Sequence, residues 1–321
     1  MNRREFLKWL AATGGAIAIG HVIGSRFKKE CPVTILAADS YEKDLTRSLK
    51  EVLATDLPDL KGKKVLLKPN FVEIHPQRPI NTDVRLIAQV ATACLSLGAS
   101  EVMVGEAPGH RRDPWFSVHH PSLRAILDPR VKCIDLNHTD TVEVPNLGKR
   151  TGLGSFHLPR PIKEADIFIS FPKMKTHHWM GVTLSLKNLF GTLPGTIYGW
   201  PKNILHFRGI GNSILDITQS IRVDYCIVDG IVGMEGDGPI LGSPKPVGVV
   251  VLGKEPLAVD STCSRLMGFD PLKIPYLGHA SFFMHGLFDK NIIHRGESPR
   301  RFASTFACLP QFEKFRGTDF W

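Results

Sequence analysis

The stretch TDVRLIAQVATACLSLGASEVMVGE, residues 82–106, carries the pattern on which the fold turns. Thr82 and Asp83 are helix-capping residue types. Behind them Val84, Ile87, Ala88, Ala91, Cys94 and Leu95 recur at helical spacing, and Gly98 follows as a stop. Glu101-Val102-Met103-Val104 comes next, a short apolar run of the kind that forms a strand buried on both faces. The stretch therefore predicts a capped helix feeding a buried strand.

The same alternation extends outward. Apolar runs lie at Val33–Leu36, Lys64–Leu67, Ile167–Ile169, Tyr225–Val228 and Val247–Leu252, with helical patterns at 41–54, 212–222 and Leu257–Met267. Alternating strands and helices predict an α/β fold with a mainly parallel sheet flanked by helices. Two lobes facing a cleft are compatible with the length. No linker-like tract divides the chain, so 31–321 is expected as a single domain with its core at 60–280.

The 321 residues are 43% hydrophobic and 22% charged, enough for a large core. Net charge is +9, and residues 1–30 supply +4 of it from six basic and two acidic side chains. The remaining bias suits a small anionic ligand. No basic run interleaved with aromatics points to nucleic acid. The six cysteines contain no CxxC pair, so neither an iron–sulfur cluster nor a cysteine-built zinc site is expected. Cys94, Cys226 and Cys263 read as buried small hydrophobes. A disulfide among the others stays open.

The amino terminus reads as an address. Arg3-Arg4-Glu5-Phe6-Leu7-Lys8 resembles the twin-arginine export signal, with Asn2 where Ser or Thr is usual. A weakly apolar segment from about Trp9 to Ile23 is shorter than the roughly 20 residues of a spanning helix. It matches a signal-peptide core better. Residues 1–30 are thus expected to direct export through the twin-arginine machinery to an extracytoplasmic place. The lack of a clear A-x-A site leaves an uncleaved anchor open. Clients of this route often load a cofactor first, as the signal class implies.

In α/β folds functional groups gather beyond the carboxyl ends of strands. Here those ends are polar: Lys68-Pro69-Asn70, Gly105-Glu106, Pro172 to His178, and Asp229 to Pro239. Pro69 biases Lys68 to an extended backbone. Glu106 could bind a cation or cap a turn. Asp229 and Glu235, and more weakly Asp237, could offer oxygens to a hard divalent cation. Their loop also fits a glycine-rich turn. Asp260 sits in an apolar helical run and needs a partner if buried.

PKMKTHHWMGVTLSLKN, residues 172–188, is the densest stretch. In an extended segment Lys173 and Lys175 point the same way. Gly181 onward predicts a helix running into Gly191, with Thr183 and Lys187 one turn apart. Its free N–H groups, with Lys173, Lys175 and Lys187, would make an anion site. Adjacent His177 and His178 cannot share one ion from a regular helix, although one histidine could join distant carboxylates or His206. The same residues also fit a reactive lysine, whose pKa neighbouring cations lower, or a solvated basic turn.

Together these segments resemble the family called domain of unknown function 362, over roughly residues 60–280. The carriers are Lys68-Pro69-Asn70, Gly105 to Gly109, Lys173 to His177, Gly181-Val182-Thr183 with Lys187-Asn188, His206, Asp229-Gly230, Glu235 to Gly242 and Ala258-Val259-Asp260. Aspartate is more usual at the place of Glu106. Some members carry ferredoxin-like cysteine motifs, which this chain lacks. A fainter similarity of organisation links it to the lactate racemase family, with its nickel-bearing cofactor in a two-lobed cleft. The resulting expectation is an exported enzyme with a polar cleft for a small anionic substrate or cofactor, with a divalent metal as an option. His177 and Lys187 are the catalytic candidates. Lys68, Asn70, Lys173, Lys175, Thr176, Thr183 and Asn188 are the ligand-binding ones. Asp229, Glu235 and Asp260 are the metal candidates. A non-catalytic cofactor-binding protein, or an accessory of an exported redox system, is the rival expectation.

Overall fold

A computed structural model describes residues 29–109, 119–318 and 320–321. The twin-arginine-like motif and the apolar run behind it lie outside the described residues. The strands are β1 (Cys31–Ala37), β2 (Lys64–Pro69), β3 (Glu101–Glu106), β4 (Lys132–Asp135), β5 (Thr141–Pro145), β6 (Ser155–Pro159), β7 (Ile167–Phe171), β8 (Lys173–His177), β9 (Gly181–Thr183), β10 (Tyr225–Glu235), β11 (Ser243–Gly253) and β12 (Ile292–Gly296). The helices that matter below are α1 (Thr46–Asp56), α2 (Val84–Ser96), α3 (Ser185–Asn188), α4 (Asn203–Phe207), α5 (Ile210–Ser220) and α6 (Pro256–Leu266).

The main sheet runs β12-β1-β11-β10-β7-β2-β3-β4. The pairs from β10 through β7, β2 and β3 to β4 are all parallel, as is β1 with β12. β11 is antiparallel to both its neighbours. The result is the expected α/β fold, a mixed sheet of mostly parallel strands with helices on both faces. β5 and β6 form a separate antiparallel pair.

Burial explains the layers. Side chains alternate across a strand. On β2, Val65 and Leu67 join the cluster under α1 and α2, while Leu66 joins the opposite one. That opposite cluster packs Cys226, Val228, Val249 and Val251 against α5 and α6 through Ile214, Ile217, Leu257 and Cys263. Strands buried on both faces cannot show a polar side, which is why they read as continuous apolar runs. The capped helix is as expected: the Asp83 carboxylate accepts from the Arg85 N–H at the start of α2.

Two elements differ from expectation. The first predicted helix begins at Thr46 rather than 41, because Tyr41 turns inward to donate to Asp229 at 2.8 Å. The segment from Gly181 is not one helix. It is the short strand β9 against β8, then the single turn α3 and a 3-10 turn over Leu189–Thr192. The alternation of Val182 and Leu184 wins locally because β8 offers an edge to pair with. β8 is the exceptional strand: Lys173, Lys175, Thr176 and His177 are all buried in it. All six cysteines are free. Among the described residues no helix is long and apolar enough to cross a membrane.

Candidate functional site

The carboxyl ends of β2 and β3, the strand β8 and the segments around α3 and α4 enclose a cleft of about 200 Å³. Six of the residues picked from sequence line it: Asn70, Lys175, His177, Thr183, Lys187 and Asn188. Glu106, His178, Trp179, Lys202 and His206 line it too.

Four lysines are buried and a fifth is half-buried in this part of the molecule, and they fall into two kinds. Lys68 donates to Glu106 at 2.8 Å, to the Pro69 carbonyl at 2.9 Å and to the Asn188 side-chain oxygen at 3.1 Å. Its three N–H bonds are spent. Glu106 also accepts from the Phe71 and Ala107 N–H groups. Gly191 makes room for this pair, since a Cβ there would lie 2.5 Å from the Glu106 oxygen and 2.7 Å from Lys68 Nζ. Lys173 is equally closed: it reaches Tyr41 Oη and Asp229 at 2.6 Å each and the Val232 carbonyl at 3.2 Å. Lys68 and Lys173 are therefore internal cations already neutralised, not the ligand-binding lysines their positions suggested.

Lys175, Lys187 and Lys202 are different. Among the described residues none of the three has a carboxylate within ion-pair distance. Lys175 is fully buried and donates to the carbonyls of Ile80 at 2.7 Å and Pro239 at 3.4 Å. Lys202 donates to the carbonyls of Ala107 at 2.6 Å and Phe190 at 3.2 Å. Lys187 is half-buried, and its ammonium lies over the Phe190 ring, 4.7 Å from the centroid. Burial and mutual repulsion disfavour their charge. Burial, then Lys187 and Lys173, holds Lys175 well below the usual lysine range. Burial, with Lys68 next, brings Lys187 down to about 8. Burial also brings Lys202 to about 7, against the pull of Glu106.

His177 is kept neutral by burial, with Lys187 and His178 adding to the effect. Its Nδ1 accepts from the Trp179 N–H at 3.1 Å, so the neutral ring carries its proton on Nε2. His206 has the opposite tautomer when neutral: its Nδ1 contacts the Lys202 carbonyl at 3.0 Å and must donate. The rings of Trp179 and Phe190 lie 5.6 and 5.2 Å from His206, forming an aromatic rim. Among the described residues two polar atoms of the lining are buried without a partner, Thr183 Oγ1 and Asn70 Oδ1.

The remaining candidates serve elsewhere. Thr176 points away from the cleft and donates to the Gly236 carbonyl at 2.9 Å. Asn188 lines the cleft, but its amide is engaged by Lys68 and Ser170. The three expected metal carboxylates do not converge. Asp229 closes Lys173, Glu235 accepts from the Ala307 N–H at 2.8 Å, and Asp260 accepts from the Ser185 and Leu186 N–H groups at 2.7 and 2.9 Å. Asp237 stands beside His178 at 3.6 Å. Among the described residues no group of three or more His, Cys, Asp or Glu could hold a metal, so this donor set does not fit one. Asp260 also overturns the expected helix-end anion site: the N–H groups of the first turn of α3 are already occupied. Burial pushes the Asp260 carboxyl up to about 7, with those N–H groups opposing.

Lys202 was missed. It sits at φ 71° after a proline in the turn Trp200-Pro201-Lys202, with nothing in the local sequence to mark its ammonium as buried. A non-glycine residue at positive φ is uncommon, but that signal exists only in three dimensions.

Residues 65–265 match the family described as a domain of unknown function, DUF362. The chain belongs to that family. The thylakoid-associated protein sll1697 of Synechocystis sp. is 29% identical over 257 residues, spanning 76% of each chain. The lactate racemase apoprotein of Thermoanaerobacterium thermosaccharolyticum is 12% identical at a TM-score of 0.46 over 75% of this chain. This chain spans 58% of that protein's length.

Proposed function

We propose that the cleft binds a small anion and that the protein is an enzyme acting on it after export. One observation carries this: three lysines converge on one cleft with no carboxylate within ion-pair distance among the described residues, Glu106 in the same lining being taken up by Lys68, while their two neighbours Lys68 and Lys173 each have one. Buried cations without counter-charge are costly, and a bound anion removes the cost. When protonated against an anion, Lys175 and Lys202 each have a third N–H beyond the two given to carbonyls, and Thr183 adds a hydroxyl. His177 contributes an Nε2–H, which suits it to donate to an oxygen that gains charge rather than to abstract a proton. The test is thermal unfolding and calorimetric titration with sulfate and phosphate. Both anions are expected to bind wild type and to bind Lys187→Ala much more weakly without loss of the fold. An unfolded Lys187→Ala, or equal binding by both proteins, would remove the anion site.

Export rests on Arg3-Arg4 and the segment behind it. Replacing both arginines with lysine is expected to leave a fused reporter in the cytoplasm, and unchanged export would exclude the twin-arginine machinery as partner. A second reading, a cofactor-handling accessory without turnover, draws on the thylakoid association of the relative. It predicts anion binding in the same cleft with no turnover of any bound compound.

A further inference from the structure

Lys187 is held unlike any other lysine around the cleft. Lys68 shows how this chain pairs a buried lysine: three acceptors, one of them a carboxylate that opposes the lowering of its pKa by burial. Lys175 and Lys202 have two carbonyl acceptors each. The Lys187 nitrogen has no hydrogen bond among the described residues, and an aromatic face lies against it. Its helical turn is nonetheless fixed, because Asp260 grips the two N–H groups at the start of α3. A nitrogen on a fixed turn, without a hydrogen bond among the described residues and with Lys68 nearby outweighing Glu106, is placed to work as an amine.

We propose that Lys187 forms an imine with the ligand, and that the ligand is a small anion bearing an aldehyde or ketone, such as a 2-oxo acid. This rests on the anion-cleft reading above, since Lys175 and Lys202 would hold the anionic group. The amine lone pair adds to the carbonyl carbon, and the carbonyl π electrons pass to oxygen. His177 Nε2–H is available to that oxygen. The oxygen takes up the two protons the nitrogen gives up and leaves as water, and a C=N bond replaces the C=O. The step needs no oxidant, reductant or second substrate. The lowered pKa of Lys187, about 8, leaves a usable fraction of free amine at neutral pH.

The test uses the full chain with glyoxylate and cyanoborohydride at pH 7, with labelled lysines located by peptide mass spectrometry. Lys187 is expected to gain the reduced adduct at least ~10-fold faster than exposed lysines. The rate should rise to a plateau above about pH 8, and sulfate should slow it. Lys187→Arg keeps the cation, and should keep sulfate stabilisation while losing the adduct. Labelling of Lys187 no faster than exposed lysines, with sulfate still stabilising wild type, would overturn the imine and leave the anion cleft standing. Absence of any sulfate effect on stability or on labelling would take down the anion reading and the proposed substrate class together.

Discussion

Two groups of lysines meet under the same roof of strand ends. Lys68 and Lys173 are closed, each sealed by a carboxylate and by backbone or side-chain acceptors. Lys175, Lys187 and Lys202 are open, with carbonyls or an aromatic face but no carboxylate within ion-pair distance among the described residues. Burial alone does not tell them apart, since Lys68 and Lys175 are both at 0% exposure. What differs is whether the chain supplies the opposite charge. A closed lysine is part of the fold, and an open one is a standing demand on something outside it.

The comparison breaks first if a closed pair proves dispensable. Asp229→Ala strands Lys173 and orphans Tyr41, and should cost about 3–5 kcal/mol in denaturant unfolding. Next comes Gly191→Ala, whose methyl would push into the Lys68–Glu106 pair. A loss of about 2 kcal/mol is expected, and a neutral result would mean the pair shifts freely.

The open group answers to pH. Lys187 and Lys202 have pKa values depressed below the 10.5 of an unfolded chain. The unfolded state therefore binds protons more readily, so their contribution to stability is full above about pH 10.5 and is lost as pH falls through about 8 and 7. A bound anion reverses that loss. Sulfate should accordingly raise Tm more at pH 6 than at pH 9, and Lys187→Met should shrink the difference. An equal Tm rise at both pH values would contradict the open description. The smallest effect belongs to Thr183→Val, which removes an unpartnered hydroxyl. Without ligand it should be within about 1 kcal/mol of wild type or slightly more stable, with anion affinity down by about fivefold.

This division was only partly legible in the sequence. The sheet and its flanking helices follow from apolar runs and from Thr82-Asp83 and Gly98, which act locally. Asn70, Lys175, His177, Thr183, Lys187 and Asn188, picked from sequence, line one cleft. Pairing was not legible. Lys68 meets Glu106 and Lys173 meets Asp229 across 38 and 56 residues of chain, and no spacing rule reaches that far. The helix expected from Gly181 failed because β8, a strand of lysines, threonine and histidine, does not resemble a buried partner until its side chains have found theirs. The metal reading failed for the same reason: Asp229, Glu235 and Asp260 look available in one dimension, and each is taken in three.

Asp260 has a kinetic consequence. Its oxygens hold the Ser185 and Leu186 amides from the interior, on the side of α3 away from solvent. In deuterated water those two amides should exchange only when α6 and α3 separate, so they report openings of the deep core rather than breathing of the cleft mouth. The backbone that carries Lys187 would then be among the slowest to exchange in its neighbourhood, whatever enters or leaves beside it.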